Sequence, residues 1–327
     1  MNLNYNKTIP IRGDASFRKF YRRKNKHKTS IIVYANKEKE KNLLNYDAIN
    51  KLLLKNKILA PKLYNQNYKN NYIEIQDLGK KTLFDILKKK GINKLKYFKK
   101  IIKILIKVQK IKQKKIKNFK KKYYKIPIYN KRLLFKETSF FFDWYVPKVI
   151  NKKKVSYINR KLKKEVNLLL SKIKLPNNTF VHRDFHVSNL VINRNNFGVI
   201  DSQDALFGNK AYDLASLIDD VRLKTSNELK NLVYKYYFSL NKNKFDKNFF
   251  KNDFEILSVL RNLKIIGIFA RLAIRDKKRK YLKLIPYAWN LIEFRLKNNF
   301  IFNDLKNFLD INFSKKIRIK KWKSILH

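Results

Sequence analysis

The chain has 327 residues with 44% hydrophobic content, enough for one large core or two small ones, and its 79 Lys and Arg against 24 Asp and Glu give a formal net charge of +55. The excess is mostly Lys, spread over the whole length alongside much Asn and Ile as AT-rich codons produce, so it predicts no specific nucleic-acid partner. The absence of Cys excludes disulfides, thiolate metal sites and a catalytic thiol. Residues 1–11 are polar, and no uncharged apolar stretch reaches the roughly 18–20 residues that span a bilayer, so the sequence predicts a cytoplasmic protein without a membrane helix.

The first part of the chain is predicted to be rich in strands. Residues 9–34 combine a turn signal at 12–16 with the β-prone run Ile31–Tyr34. Residues 40–56 carry apolar side chains at helical spacing, and two further short strands are predicted at 63–64 and 72–75. A turn at Asp77-Leu78-Gly79 ends this part.

From Thr82 onwards the apolar spacing predicts helices almost throughout. The densest basic run, Lys107–Lys125, contains no acidic residue, and we interpret it as a solvated helix face followed by a loop. The chain therefore divides into a small β-rich lobe over residues 1–77 and a larger, mainly helical lobe over residues 78–327. This is an α+β organisation.

One motif in the helical part carries chemistry. His182–Asn189 reads His-Arg-Asp-Phe-His-Val-Ser-Asn, and Asp201 follows at the end of a short apolar run. This spacing is typical of the catalytic loop of protein-kinase-like phosphotransferases. Asp184 is the predicted catalytic base for a hydroxyl acceptor, and Asn189 and Asp201 are the predicted Mg²⁺ ligands, because Mg²⁺ prefers hard oxygen donors. His182 is predicted to brace the loop.

The sequence after Asn189 predicts how these groups meet. Apolar stretches at 190–192 and 197–200 flank the polar segment 193–196, a pattern typical of a tight hairpin. Such a hairpin would bring Asn189 and Asp201 side by side. The motif therefore predicts a protein-kinase-like two-lobed fold that uses ATP and Mg²⁺.

A second candidate site is the Gly13–Arg18 segment between two predicted strands. Backbone N–H groups at Gly13, the Ser16 hydroxyl and the Arg18 side chain could bind phosphates of the nucleotide there, although an ordinary hairpin turn explains the same residues. The predicted third strand lacks the lysine that kinases place there. Arg18 or Lys19 could replace that lysine, whereas Lys37 is better explained as a solvent-exposed charge.

Two further residues near the motif have open roles. Asp204 follows Asp201 closely and is either a group beside the metal or a surface residue. His186 either lines the substrate side of Asp184 or faces solvent.

The motif resembles the catalytic loop of aminoglycoside phosphotransferases and choline-kinase-like enzymes. The flanking sequence resembles more closely the bacterial anomeric sugar kinases of cell-wall recycling, which phosphorylate N-acetylmuramate and N-acetylglucosamine. Ser202 is a departure, because that branch usually has an aromatic residue there. The resemblance extends from about residue 9 to residue 298, and four segments carry it: Gly13–Phe20, Phe141–Tyr145, Val199–Ala205 and Leu263–Leu272.

The resemblance implies a substrate site as well. Trp144 and Arg271 are candidates for lining a sugar pocket, since a flat aromatic ring suits a pyranose face and Arg can hold a carboxylate with two hydrogen bonds. Core packing for Trp144 and a surface ion pair for Arg271 remain alternative explanations.

These observations predict an ATP- and Mg²⁺-dependent kinase acting on the anomeric hydroxyl of an amino sugar, with no membrane partner. One alternative is a kinase for an aminoglycoside or amino-alcohol, although the helical lobe has few acidic residues for a cationic substrate. The other is a basic RNA-binding protein on a kinase scaffold, although it would have no reason to keep Asp184, Asn189 and Asp201. The oligomeric state is not predicted.

Overall fold

The computed structural model describes residues 8–11, 18–24, 29–35, 42–241, 245–297 and 299–319. The chain forms two compact units. The first unit comprises Met1–Pro127 and Thr179–Phe207, and the second comprises Ile128–Asn178 and Gly208–His327. The predicted lobe boundary between residues 77 and 78 remains a prediction.

A five-stranded antiparallel sheet lies in the first unit. Its strands are β1 (Thr8–Ile11), β2 (Lys19–Lys24), β3 (Thr29–Tyr34), β4 (Leu63–Asn67) and β5 (Tyr72–Gln76). Their order is β1-β2-β3-β5-β4. The central strand β3 is rich in β-branched residues, which suit a buried strand, and Ile32 and Val33 are buried. These strands confirm those predicted within residues 9–34 and at 63–64 and 72–75.

The helices of the first unit are α1 (Asn42–Lys55), α2 (Leu83–Leu87) and α3 (Lys94–Gln109). Helix α1 confirms the prediction for residues 40–56. Its residues Leu43 and Tyr46 share one hydrophobic core with β3 and β5. Helix α2 begins with a capping box, in which the Thr82 hydroxyl accepts from the Asp85 N–H and the Asp85 carboxylate accepts from the Thr82 N–H.

The basic run after α3 differs from the prediction. Residues 107–125 contain the end of α3 and then an antiparallel hairpin formed by β6 (Lys115–Lys117) and β7 (Tyr123–Lys125). Lys115 and Lys117 are exposed on either side of the partly buried Ile116. Because Lys residues are spread over this segment, the period-two pattern is hardly visible in the sequence. The prediction of a helix face and a loop was wrong for residues 115–117 and 123–125, which are strands.

Two short strand pairs complete the first unit. Strand β8 (Thr179–Val181) pairs with β11 (Leu206–Gly208), where the boundary to the second unit falls. Strand β9 (Leu190–Asn193) pairs with β10 (Asn196–Val199) in antiparallel register. This second pair is the hairpin predicted from the motif.

Apart from Gly208 at the end of β11 and a bridge residue at Ile128, the regular elements in the described part of the second unit are helices. Helix α9 (Lys247–Ile274) packs against α4 (Lys131–Phe140), α7 (Tyr212–Ile218) and α10 (Ile285–Leu296). A π-helical turn at Phe141–Tyr145 follows α4. The Trp289 Nε1–H donates to the Tyr145 hydroxyl at 2.9 Å within a buried aromatic cluster. The helices are α4 (Lys131–Phe140), α5 (Val146–Val149), α6 (Lys152–Ser171), α7 (Tyr212–Ile218), α8 (Asn227–Ser239), α9 (Lys247–Ile274), α10 (Ile285–Leu296), α11 (Asn303–Asn312) and α12 (Lys315–Ile319).

Gly267 explains the close packing of α9. A Cβ atom at this position would lie 2.2 Å from the backbone carbon of Phe140 and 2.3 Å from the backbone nitrogen of Phe141. Only glycine therefore allows this contact between α9 and the end of α4.

Among the described residues, no helix combines the length and the apolar character that crossing a bilayer requires.

Candidate active site

The β9–β10 hairpin brings together the two predicted metal ligands. At its open end Leu190 pairs with Val199, and the Ile200 N–H donates to the Asn189 carbonyl oxygen at 3.0 Å. Asn189 immediately precedes β9 and therefore lies opposite Ile200, the residue before Asp201. The spacing in the sequence predicted this arrangement because the whole motif is local.

His182 ties the loop to the same strand end. Its side chain is fully buried, and its Nε2 lies 3.1 Å from the Ile200 carbonyl oxygen. Burial lowers the pKa of His182, with an opposing influence from Asp184, so the ring is neutral at physiological pH. A neutral imidazole whose Nε2–H donates to a carbonyl braces the loop, as predicted.

Two hydrogen bonds fix the backbone of Asp184. Its carbonyl oxygen accepts from the His186 N–H and from the Asn189 Nδ2, both at 3.0 Å. The Asn189 amide nitrogen is thus committed to the loop, which makes the amide oxygen the atom that a cation would use. His186 is buried beside this amide, with its Nε2 3.4 Å from the Asn189 Nδ2. It therefore does not face solvent.

Asp201 pairs with Arg18. The Arg18 Nη2 donates to the Asp201 Oδ1 at 3.2 Å, and the Arg18 side chain is 6% exposed while that of Asp201 is 37% exposed. The Arg18 guanidinium also lies 5.9 Å from the Phe20 ring centroid and 5.7 Å from that of Tyr46. Of Arg18 and Lys19, the two described basic residues considered from the sequence, Arg18 is the one that is hydrogen-bonded to Asp201.

Asp204 is connected to Asp201 by Gln203. The Gln203 Nε2 donates to the Asp204 Oδ2 at 2.8 Å and to the Asp201 Oδ1 at 3.3 Å. Arg183 lies on the other side, with its Nη1 3.8 Å from the Asp204 Oδ1. The sequence prediction did not include Gln203, because its bridging role becomes visible only when both carboxylates are placed.

The charges around Asp201 suit a bound cation. Burial raises the pKa of the Asp201 carboxyl; Arg18 opposes that rise, while Asp184 and Asp204 add to it. Within the described ranges, no group of three or more His, Cys, Asp or Glu residues forms a metal cluster. Mg²⁺ does not need one, because it binds through one or two carboxylates together with water and substrate phosphates. The carboxylate of Asp201 and the amide oxygen of Asn189 fit such a site.

The remaining predicted residues lie elsewhere. Gly13 and Ser16 are outside the described residues, as is Lys37. Trp144 is half-buried in the π-helical turn of the second unit. Arg271, on α9, lies with its guanidinium 4.6 Å from the Phe140 ring centroid, which differs from the surface ion pair considered as an alternative.

Comparison with known proteins gives a family and a set of relatives. Residues 7–241 match the model of the phosphotransferase enzyme family. The chain is 29% identical over 289 residues to the N-acetylmuramate/N-acetylglucosamine kinase of Neisseria meningitidis, covering 85% of this chain and 82% of the relative. It is 26% identical over 291 residues to the enzyme of the same name from Pseudomonas aeruginosa, covering 87% of this chain and 82% of the relative.

Solved structures show the same fold. A spectinomycin phosphotransferase in complex with ADP and spectinomycin superposes with a TM-score of 0.60 at 16% identity, covering 89% of this chain and 92% of the other. A choline kinase from Cryptosporidium parvum gives a TM-score of 0.60 at 14% identity, covering 95% and 92%. These likenesses confirm the predicted protein-kinase-like α+β fold.

Proposed function

This chain belongs to the phosphotransferase enzyme family and is a small-molecule kinase, and we propose that it uses ATP and Mg²⁺ to phosphorylate the anomeric hydroxyl of N-acetylmuramate or N-acetylglucosamine. The observation that carries the proposal is the convergence of Asp184, Asn189 and Asp201 at the open end of the β9–β10 hairpin. Two relatives named N-acetylmuramate/N-acetylglucosamine kinase, each matched over 82% of its length, support the choice of sugar.

The chemistry assigns one task to each side chain. The Asp184 carboxylate accepts the proton of the anomeric hydroxyl and directs its oxygen at the γ-phosphorus. A new bond forms between that oxygen and the phosphorus, and the bond from the phosphorus to the bridging oxygen of ATP breaks, which releases ADP. Asn189 and Asp201 would hold Mg²⁺, which when bound neutralises the charge on the phosphates.

Nucleotide binding is assigned to Gly13, Ser16 and Arg18. Arg18 is proposed to bind phosphate in place of the kinase lysine, since β3 contains no Lys and the Arg18 guanidinium is already at the motif.

His186 and Asp204 of the first unit are proposed to contact the substrate. Trp144 and Arg271 belong to the second unit and remain candidates on the resemblance alone. Burial lowers the pKa of Arg271. Its guanidinium suits an anionic substituent such as the lactyl carboxylate of N-acetylmuramate, because a planar guanidinium can bind a carboxylate with two hydrogen bonds. The cytoplasmic location and a role in cell-wall recycling follow from the proposed reaction and remain predictions.

A substrate panel tests the proposal. ATP consumption would be measured with N-acetylmuramate, N-acetylglucosamine, choline, ethanolamine and aminoglycosides, each with and without Mg²⁺. We expect only the amino sugars to stimulate turnover, and we expect ³¹P NMR to show the product phosphate on C1. Stimulation by choline or an aminoglycoside with none by amino sugars would replace the proposed substrate class.

A further inference from the structure

Helix α1 presents two polar side chains to the strand end that carries Asp201. Tyr46 and Asn50 are one helical turn apart and are each 3% exposed. Ser202, the residue after Asp201, is completely buried. Buried polar groups are unfavourable unless they are hydrogen-bonded, so these three side chains are expected to have hydrogen-bond partners nearby.

The three side chains form one network. The Ser202 hydroxyl donates to the Asn50 Oδ1 at 2.7 Å. Tyr46 is hydrogen-bonded to the Asn50 side chain and to the backbone of Asp201. The network therefore contacts both Asp201 and Ser202, and it connects them to helix α1, which lies more than a hundred positions earlier in the sequence.

The backbone conformation of Asp201 explains why these hydrogen bonds are needed. Its φ is +62°, in the left-handed region that residues other than glycine adopt at a cost in energy. In that conformation the carboxylate lies 3.2 Å from the Arg18 Nη2, and the Arg18 guanidinium in turn lies 5.7 Å from the Tyr46 ring centroid. Tyr46 thus contacts both members of the ion pair.

We propose that Tyr46, Asn50 and Ser202 are positioning residues, which hold Asp201 in its left-handed conformation and thereby set the affinity of the site for a divalent cation with nucleotide. The proposal rests on the proposed function only in taking Asp201 as the metal ligand. None of the three touches the reacting atoms. Their effect reaches the cation through the placement of one carboxylate and through Arg18.

The test uses conservative variants of the full chain. Ser202→Ala removes the hydroxyl, Tyr46→Phe removes the phenolic oxygen, and Ser202→Thr retains a hydroxyl at position 202. Ser30→Ala is the matched control, because Ser30 is also a buried serine of the first unit and donates to the Glu74 Oε1 at 2.5 Å, away from Asp201.

The readout is binding of Mn²⁺ with a non-hydrolysable ATP analogue, measured by calorimetry without any sugar. We expect Ser202→Ala and Tyr46→Phe to weaken binding roughly tenfold, the scale seen when groups supporting a metal ligand are removed. We expect Ser202→Thr to restore most of the affinity and Ser30→Ala to leave it unchanged. Amide hydrogen exchange at residues 200–203 in the ligand-free protein should accelerate in the first two variants only.

Two results separate this inference from the proposed function. Unchanged Mn²⁺–nucleotide affinity in both Ser202→Ala and Tyr46→Phe, with melting temperatures lowered no more than in Ser30→Ala, would overturn the positioning role. Weakened binding in these variants would support it even if no amino sugar stimulated ATP turnover in the wild type, a result that would count against the proposed substrate alone.

Discussion

Asp184 contributes to the candidate active site through both its backbone and its side chain. Its carbonyl oxygen anchors the loop through two hydrogen bonds at 3.0 Å, and its carboxylate is the proposed proton acceptor. Asp184→Asn retains the carbonyl and the shape but removes the base. We expect kcat to fall by about 10²–10⁴-fold with little change in nucleotide affinity, as measured by steady-state kinetics and nucleotide titration.

Two other variants provide the contrast for that prediction. Asp310→Asn changes an aspartate of the second unit that pairs with Lys306 and Arg318, and it should leave turnover unchanged. Asp201→Ala should instead raise the Mg²⁺ concentration needed for half-maximal activity, because it removes an anionic ligand. Turnover in Asp184→Asn equal to that of the wild type would refute the assignment of the base.

Asp219 is a buried residue whose charge stabilises the second unit. Its carboxylate accepts from the Arg295 Nε at 2.8 Å, the Lys230 Nζ at 3.2 Å and the Ser258 hydroxyl at 2.5 Å. Burial alone would raise the pKa of Asp219, but Arg295 and Lys230 lower it from 3.8 to about 2. A lowered pKa means that the stabilisation is fully present above about pH 4 and is lost as the pH falls towards 2.

As the pH is lowered from about 4 to 2, we therefore expect the free energy of unfolding to decrease by about 2 kcal/mol because Asp219 becomes protonated. Asp219→Asn should remove that part of the pH dependence. It should also destabilise the protein at pH 7 by about 3–5 kcal/mol, because it leaves Lys230 and Arg295 buried without their counter-charge. Urea unfolding at a series of pH values measures both effects, and an unchanged acid slope in the variant would contradict the assignment.

Helix α9 depends on Gly267 where it crosses the backbone of Phe140 and Phe141. In an ordinary helix, replacing Gly with Ala stabilises by roughly 0.5–1 kcal/mol. Here the added Cβ would overlap backbone atoms, which cannot move aside as a side chain can. We expect Gly267→Ala to lower the stability by about 1–3 kcal/mol, a change of opposite sign. Thermal unfolding followed by circular dichroism measures it, and a raised melting temperature would show that α9 can shift away.

Elements differed in how far the sequence could predict them. Strand β3 and helix α1 were predicted because their apolar patterns are local and strong. The β9–β10 hairpin was predicted for the same reason, and with it the neighbourhood of Asn189 and Asp201. The β6–β7 hairpin was not, because a pattern of Lys and Tyr has no clear apolar face.

The contacts that the sequence could not predict join distant positions. Nothing near Asn50 indicates that it bonds to Ser202, and nothing near Arg18 singles it out from the neighbouring basic residues as the partner of Asp201. Such pairings depend on how α1 and β2 are placed in the folded unit. The roles of Gly13 and Ser16 remain predictions, since both lie outside the described residues.

At the scale of the whole molecule, the net charge of +55 predicts how the protein responds to salt. If the charge has no dedicated partner, RNA binding should be independent of sequence and should fall steeply between about 50 and 200 mM salt, because it depends on counterion release. Phosphoryl transfer should change far less. Parallel salt titrations of both properties test this, and sequence-selective RNA binding that survives physiological salt, without sugar-stimulated turnover, would favour the RNA-binding alternative.

The first unit is interrupted in the sequence by Ile128–Asn178. On the ribosome, the five-stranded sheet emerges early, but Asp184, Asn189 and Asp201 leave the exit tunnel only after that insertion has been synthesised. At about 5–20 residues per second, the insertion delays the strands β8–β10 by several seconds after the five-stranded sheet has been synthesised. We therefore expect a chain arrested near residue 178 to depend on chaperones, and nucleotide binding to begin only once residue 207 has emerged.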